Sequence, residues 1–181
     1  HAEFPDLTNR SVIAIDLETR DPNIKTKGPG WATKDGEVVG IAVAADGFKG
    51  YFPIAHEKGP NLDPSMTLKW YQKIMKSEAD KICHNAAYDI GWTRAMGIDV
   101  NGRIIDTMIA GAVIDENRYT YSLNGLARDY LGEIKLETKL KEKAEEWGLD
   151  AKADLWRLPA SFVGEYAEQD AELTLKLWRK F

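Results

Sequence analysis

The stretch SVIAIDLE at residues 11–18 constrains the fold more than any other part of the chain. It is almost continuously apolar and rich in β-branched residues, which is typical of a strand buried on both faces of a sheet. Such strands lie at the centre of α/β sheets, because helices must cover both of their faces. We therefore expect residues 11–18 to form the central strand.

The pattern that follows predicts a mixed sheet. EVVGIAVAA at 37–45 and FKGYFPI at 48–54 are separated by a short turn and predict an antiparallel hairpin. Two shorter strands, KICH at 81–84 and GRIID at 102–106, alternate with helical segments, as in α/β proteins. The predicted fold class is α/β, with a mixed central β-sheet of about five strands flanked by α-helices.

Several helix boundaries are also predicted. Asp63 precedes a proline and is expected to cap one helix, and Asn85 is expected to cap another that ends near Met96. The segment 133–157 is charged with a helical apolar stripe, and a last helix is expected from about 160 to 180. The Pro- and Gly-rich residues between the first two strands predict a loop.

Length and composition limit the class of protein. Residues 1–181 suit one compact domain, with residues 1–10 interpreted as a leader or a segment next to a tag. The single cysteine, Cys83, has no internal disulfide partner, and no apolar run approaches the roughly 20 residues of a membrane span. An intracellular monomer without a membrane partner is the expectation.

Asp16 and Glu18 end the predicted central strand. Their side chains point to the same face, because side chains alternate along a strand, and α/β sheets place their sites at this end. Two carboxylates about 7 Å apart along one strand repel each other unless a cation lies between them. The alternative is a strand end that simply turns polar as it leaves the core.

A second acidic stretch, HNAAYD at 84–89, follows the predicted strand 81–84. Asn85 and Asp89 lie one helical turn apart and therefore share a face of the predicted helix. The alternative is local: the helix dipole stabilises any acidic side chain in the first turn. If this strand lies beside the central strand, Asp89 is brought to the first two carboxylates.

A third stretch, YAEQD at 166–170, lies within the last predicted helix. Tyr166 and Asp170 are stacked on one face of that helix, which by itself is often just a surface pair. Small residues at 167, 171 and 174 would let the helix approach the sheet closely.

Together the three stretches resemble the DEDD 3′-5′ exonucleases of the tyrosine subgroup, which have a ribonuclease H-like fold. The likeness covers about residues 11–178. In the order and spacing of its motifs, the chain resembles the proofreading domain of family A DNA polymerases, particularly that of the phage-type members. The motifs that carry it, in order, are GYFPIAHE, ICHNAAYDIGWTRAMGI, IIDTMIAGAVI, YSLNGLARDYLG and EYAEQDAELTLKLW.

The resemblance implies two divalent cations, Mg²⁺ or Mn²⁺, at the 3′-terminal phosphodiester. The implied metal ligands are Asp16, Glu18, Asp89 and Asp170. Tyr166 is implied to position the attacking water. Oxygen ligands suit these hard ions, and the sequence has no Cys/His cluster typical of zinc.

By the same resemblance, four residues are expected to contact the terminal nucleotide. They are Leu17, Thr19, Asn85 and Tyr88. For Leu17 and Tyr88, core packing is the alternative. His84 and Cys83 are interpreted as structural, and Asp106 as a helix cap that does not hold metal.

The implied function is hydrolysis of DNA from single-stranded 3′ ends, releasing nucleoside 5′-monophosphates in proofreading. A C-terminal polymerase domain beyond residue 181 is the expected partner, in the cytoplasm of a bacterial or phage-infected cell. Alternatives are an exoribonuclease resembling ribonuclease D and a non-catalytic DNA-end-binding domain. The net charge of −5 is compatible with nucleic acid, because four of these excess negative charges belong to the implied metal ligands.

Overall fold

A computed structural model describes residues 4–134 and 136–181, and it contains a five-stranded mixed sheet. The strands, in chain order, are β1 (Val12–Arg20), β2 (Glu37–Ala45), β3 (Phe48–Pro53), β4 (Asp80–Cys83) and β5 (Ile104–Asp106). Their spatial order is β3-β2-β1-β4-β5. β2 is antiparallel to both β1 and β3, whereas β4 is parallel to both β1 and β5. The predicted α/β class, with β1 at the centre, is confirmed.

Helices cover both faces of this sheet. They are α1 (Ile24–Lys27), α2 (Gly30–Thr33), α3 (Pro64–Lys76), α4 (Ala86–Ala95), α5 (Thr107–Ile114), α6 (Leu123–Leu126), α7 (Glu137–Glu146) and α8 (Ala160–Lys180). A π-helical turn, Ala127–Leu131, follows α6, and a 3₁₀ turn, Leu155–Arg157, precedes α8. Asp63 caps α3 as predicted, because its side chain accepts a 2.9 Å hydrogen bond from the Met66 N–H.

The alternation of β1 divides the core into two layers. Ile13, Ile15 and Leu17 pack with residues of α3 and α4 on one face of the sheet. Ala14 lies in the opposite layer, against α8. By the same alternation, residue 16 faces α8, so the polar end of β1 is directed at that helix.

Small side chains allow α8 to lie close to the sheet. Ala167 and Ala171 of the helix are fully buried against Ala42 and Ala44 of β2. Ala42 pairs with Asp16 in the β1–β2 register. Close packing of α8 therefore brings its own side chains to the acidic end of β1.

Two segments differ from the sequence-based expectation. The predicted loop after β1 contains the one-turn helices α1 and α2. The segment 133–157 is not one helix: α7 ends before Gly148, which adopts a φ of +69°, and the Asp150 carboxylate then accepts backbone N–H bonds that build a turn. Lys135, in the same segment, lies outside the described residues.

The N-terminal segment packs on the domain from residue 4 onward. Leu7 is buried in the core, and the Trp70 indole donates a 2.7 Å hydrogen bond to the carbonyl of Pro5. Residues 1–3 of the predicted leader lie outside the described residues. Within the described part of the chain, every helix is too short or too polar to cross a membrane.

Candidate active site

Three carboxylates converge where β1 meets α8. Asp16 and Glu18 come from β1 and Asp170 comes from α8, and each offers an oxygen atom within 4.8 Å of the others. Asp170 is only 6% exposed, because the close approach of α8 covers it. Three negative groups at this spacing repel one another strongly unless a cation is shared among them.

Asp89 reaches the same site from α4. β4 runs parallel to β1, so the helix that follows β4 begins beside the end of β1. The Asp89 side chain is 3% exposed, and its Oδ1 accepts a 3.1 Å hydrogen bond from the backbone N–H of Leu17. Burial raises the pKa of Asp89 well above its ordinary value, and the negative charge of Asp16 raises it further.

Tyr166 lies one helical turn before Asp170 and borders the same cavity. Burial, followed by the charges of Asp170 and Glu18, raises the pKa of its phenol far above the ordinary value. The phenol therefore keeps its proton near neutral pH, and it acts there as a hydrogen-bonding group.

One cavity of about 300 Å³ brings all nine predicted site residues together. They are Asp16, Leu17, Glu18, Thr19, Asn85, Tyr88, Asp89, Tyr166 and Asp170. Other walls come from Ala151, Lys152 and Leu155, in the turn between α7 and α8. A cavity of this size accommodates one small ligand or one end of a longer one.

The residues predicted to contact a nucleotide differ in how their side chains are held. Leu17 is only 5% exposed and packs in the core layer beside α4, so it serves the core as well as the cavity wall. The Thr19 and Tyr88 hydroxyls are 2.7 Å apart, and Tyr88 also donates to Asp21. Burial raises the pKa of Tyr88 to about 12, so this hydroxyl also keeps its proton.

Asn85 occupies the N-cap position of α4, but its side chain does not cap the helix, contrary to the prediction. Its backbone adopts a φ of +69°, in the left-handed region that asparagine tolerates better than most residues. The Asp106 carboxylate caps α4 instead, accepting from the N–H groups of Asn85 and Ala86 at 3.0 and 2.9 Å. The same carboxylate accepts from Met108, so it caps two helices, and its predicted capping role is confirmed.

His84 and Cys83 are interpreted from the sequence as structural, but His84 also borders the cavity that contains the acids. The two ring nitrogens of His84 hydrogen-bond the Thr107 hydroxyl and the Tyr121 carbonyl, at 2.8 and 2.7 Å. Cys83 is fully buried.

Several site residues were missed by sequence reasoning. Tyr51 of β3 lies close enough to the acids that Glu18 and Asp16 add to the effect of burial in raising its pKa. Gly40 makes room for it, because a Cβ there would lie 1.9 Å from the Tyr51 hydroxyl. Lys152 and Leu155 also went unnoticed, since only the turn after α7 brings them to the cavity. No local pattern in the sequence marks these positions.

The donor set fits a hard divalent cation. Carboxylate oxygens are the ligands that Mg²⁺ and Mn²⁺ prefer, and the oxygens of the β1 and α8 acids lie within 4.8 Å of one another. A bound cation would offset the repulsion between these carboxylates. A purely structural role would not require acidic side chains to lie this close together.

Comparison with known proteins assigns the family. A sequence profile described as 3′-5′ exonuclease matches residues 4–181. The chain is 36% identical over 182 residues to a DNA-directed DNA polymerase of Pseudomonas phage M6 and 32% identical over 185 residues to the DNA polymerase DpoZ of Salmonella phage PMBT28. Each match covers 98% of this chain and 27% of the relative, so the chain spans about a quarter of the length of these polymerases.

The fold agrees with this assignment. Trypanosoma brucei RNase D superposes with a TM-score of 0.70 at 19% identity, over 98% of this chain and 59% of that one. The arrangement is thus a ribonuclease H-like exonuclease fold with an acidic site, as the resemblance implied. The chain belongs to the 3′-5′ exonuclease family found in family A DNA polymerases.

Proposed function

We propose that this domain is a metal-dependent 3′-5′ exodeoxyribonuclease that removes nucleotides one at a time from single-stranded DNA 3′ ends as 5′-monophosphates. The observation that supports it most directly is the convergence of Asp16, Glu18 and Asp170 within 4.8 Å in an open cavity. A proofreading role is in keeping with relatives that are DNA polymerases.

In this proposal the acidic residues hold two divalent cations, Mg²⁺ or Mn²⁺. The ligands would be Asp16, Glu18, Asp89 and Asp170. When bound, such cations lower the pKa of water and stabilise the oxygen that leaves the phosphorus. The hydrogen bond from the Leu17 N–H to Asp89 would hold that carboxylate in one orientation while it serves as a ligand.

Tyr166 would orient the attacking water by hydrogen bonding. Its raised pKa makes a phenolate base unsuited to neutral pH, whereas a protonated phenol can both donate and accept. Its rigid placement on α8, one turn before Asp170, ties the position of the water to that carboxylate.

Leu17, Thr19, Asn85 and Tyr88 would contact the terminal nucleotide. Stacking, backbone and sugar contacts of this kind tolerate any base, as removal of any misincorporated nucleotide requires. Lys152, on the wall of the same cavity, adds a cation suited to a phosphate of the strand.

We also propose the setting in which the domain works. Residues 1–181 would form one exonuclease domain, followed by a polymerase domain in the same polypeptide. The relatives are phage polymerases about four times as long as the matched region, which favours action in the cytoplasm of an infected bacterium. The domain itself would be monomeric.

A 5′-labelled single-stranded DNA oligonucleotide tests the reaction. With Mg²⁺ or Mn²⁺ we expect a ladder that shortens by one nucleotide at a time from the 3′ end, and no ladder with EDTA. Asp16→Ala and Asp170→Ala should abolish the ladder while circular dichroism shows a folded protein. Glu165→Gln is the matched control, because Glu165 is an exposed acid on α8 outside the acidic cluster.

Matched RNA and DNA oligonucleotides distinguish the alternatives. Faster cleavage of RNA than DNA would contradict the DNA assignment and favour an exoribonuclease. Tight binding of single-stranded ends without cleavage, at every Mn²⁺ concentration, would contradict a catalytic role altogether.

A further inference from the structure

Three side chains form a hydrogen-bonded row along one wall of the site. The Tyr88 hydroxyl lies 2.9 Å from Asp21 Oδ2 and 2.7 Å from Thr19 Oγ1. Thr19 and Tyr88 border the cavity that contains the acids, whereas Asp21 borders only the neighbouring cavity. Asp21 therefore stands one layer behind the surface that a nucleotide would touch.

The carboxylate determines the direction of every hydrogen bond in this row. A carboxylate only accepts hydrogen bonds, so the single phenolic proton of Tyr88 is donated to Asp21. The Tyr88 oxygen must then accept from Thr19, whose hydroxyl proton is used in turn. Both protons are thus engaged within the row, so towards a ligand the two hydroxyl oxygens are left with acceptor lone pairs and no proton to donate.

Asp21 is itself held in place by the segment that follows β1. Its Oδ2 also accepts a 3.1 Å hydrogen bond from the N–H of Gly30. Gly30 is required here, because a Cβ would lie 2.0 Å from the Asp35 carbonyl oxygen. Trp31 next to it packs directly on Gly91 of α4, where an added Cβ would lie 2.5 Å from the indole. The row is thus fixed to the same helix that carries Tyr88.

Packing alone does not explain a carboxylate at this position. Asp21 Oδ1 is buried and has no hydrogen-bond partner among the described residues. An unsatisfied buried oxygen lowers stability, so a residue present only for packing would be better without it. What the carboxylate contributes at this position is the pair of hydrogen bonds that Oδ2 accepts, from the Tyr88 hydroxyl and the Gly30 N–H.

We propose that Asp21 is a positioning residue that keeps the Thr19–Tyr88 wall acceptor-only, so that the wall accepts a hydrogen bond from a free 3′-hydroxyl on the terminal nucleotide. An end without that hydroxyl loses the bond. A 3′-phosphate brings only acceptors and negative charge to a wall of lone pairs. This role rests on the proposed function, because it requires a 3′ end in the cavity.

Single-turnover removal of the last nucleotide tests this role. Three 5′-labelled DNA oligonucleotides of one sequence, ending in a 3′-hydroxyl, a 3′-hydrogen or a 3′-phosphate, are compared with the full chain and Mn²⁺. For the unmodified protein we expect the hydroxyl end to react about 2- to 10-fold faster than the 3′-hydrogen end, the contribution of one hydrogen bond. The 3′-phosphate end should be slower still.

Asp21→Ala removes the acceptor, so Tyr88 can donate to Thr19 and the Thr19 proton can turn into the cavity. The ratio of hydroxyl to 3′-phosphate rates should then fall, because the released Thr19 proton can be donated to a phosphate oxygen, whereas a 3′-hydroxyl can either donate or accept and keeps one hydrogen bond in both proteins. Asp21→Asn should keep the original ratio, because its carbonyl oxygen can accept from both Tyr88 and Gly30. In a Tyr88→Phe background, Asp21→Ala should change the ratio no further.

A merely structural role for Asp21 would lower the rates of all three ends by one common factor. An unchanged ratio in Asp21→Ala, or a ratio lost in Asp21→Asn, therefore overturns the inference while leaving the exonuclease assignment intact. If Asp21→Ala does not fold, Tyr88→Phe must by itself lower the ratio, since it releases the Thr19 proton, and failure to do so overturns the inference. Inactivity of the unmodified protein on every end would overturn the proposed function and this inference with it.

Discussion

The acidic cluster predicts that a mutation which abolishes activity will stabilise the metal-free protein. Asp170→Asn keeps the shape of the side chain but removes one of three charges whose oxygens lie within 4.8 Å of one another. Two unit charges at 4.8 Å in an effective dielectric of about 20 repel by about 3.5 kcal/mol. Asp170 takes part in two such pairs, so the mutation relieves repulsion from both β1 carboxylates.

The net gain in stability is smaller than that repulsion. Asp16 and Glu18 are partly exposed, so solvent screens their charges, and the unfolded chain retains little of the repulsion. We expect Asp170→Asn to raise the free energy of unfolding in EDTA by about 1–2 kcal/mol after this discount. That corresponds to an increase in Tm of about 2–8 °C for a domain of this size.

The assay is thermal unfolding followed by circular dichroism, with EDTA and then with excess Mn²⁺. The original protein should gain stability on addition of Mn²⁺ through ligand linkage, whereas Asp170→Asn should gain much less. Glu165→Gln, the control on the same helix, should respond to Mn²⁺ like the original protein. If Asp170→Asn is destabilised in EDTA and still gains fully from Mn²⁺, the idea of mutual repulsion relieved by a shared cation is refuted.

Three further predictions follow from the site. Because burial raises the pKa of Asp89, the folded metal-free protein binds a proton that the unfolded chain, with an Asp pKa of about 3.9, releases. The free energy of unfolding in EDTA should therefore fall as the pH rises from about 4 toward the raised pKa, by up to about 1.4 kcal/mol per pH unit, and Asp89→Asn should remove this slope in urea titrations. Tyr166→Phe should lower the single-turnover rate about 100-fold, because the attacking water is misplaced. Mn²⁺ binding measured by calorimetry should be unchanged, and below pH 9 the pH–rate profile should keep its shape, because the phenol stays protonated in that range. A mutant with the original rate would exclude Tyr166 from the reaction. Asp106→Ala removes a carboxylate that accepts from three backbone N–H groups. The free energy of unfolding measured in urea should fall by about 2–3 kcal/mol, whereas a dispensable cap would change it by only about a few tenths of a kcal/mol.

Sequence reasoning succeeded where the signal is local. The nearly continuous apolar runs of β1 and β2 are typical of strands buried on both faces, and the amphipathic pattern of α8 is typical of a helix that buries one face. Asp63 and Asp106 were identified as caps from their position before a helix. Asn85 shows the limit of such reasoning: its type suits a cap, yet Asp106 from a neighbouring strand already satisfies the α4 N–H groups.

The charged segment before α8 was also misjudged for a physical reason. Its composition favours a helix throughout, but Gly148 takes a left-handed conformation and the Asp150 turn redirects the chain. That redirection brings Lys152 and Leu155 to the cavity, a position that depends on how the turn packs against α8 and the end of β1.

The sequence by itself determined the fold class, the central strand and the acidic residues of the candidate site, since these follow from apolar patterning and from the ordered motifs of the family. Only the tertiary structure decided that Asp89 is buried and held by the Leu17 N–H, and that Asp21 orients the Tyr88 and Thr19 hydroxyls from behind the wall. The hydrogen bonds join residues about 70 positions apart in the chain, and the carboxylate spacing depends on β1 and α8, which are still farther apart. Such contacts exist only after β4 pairs with β1 and α8 closes over both, so no local pattern can encode them.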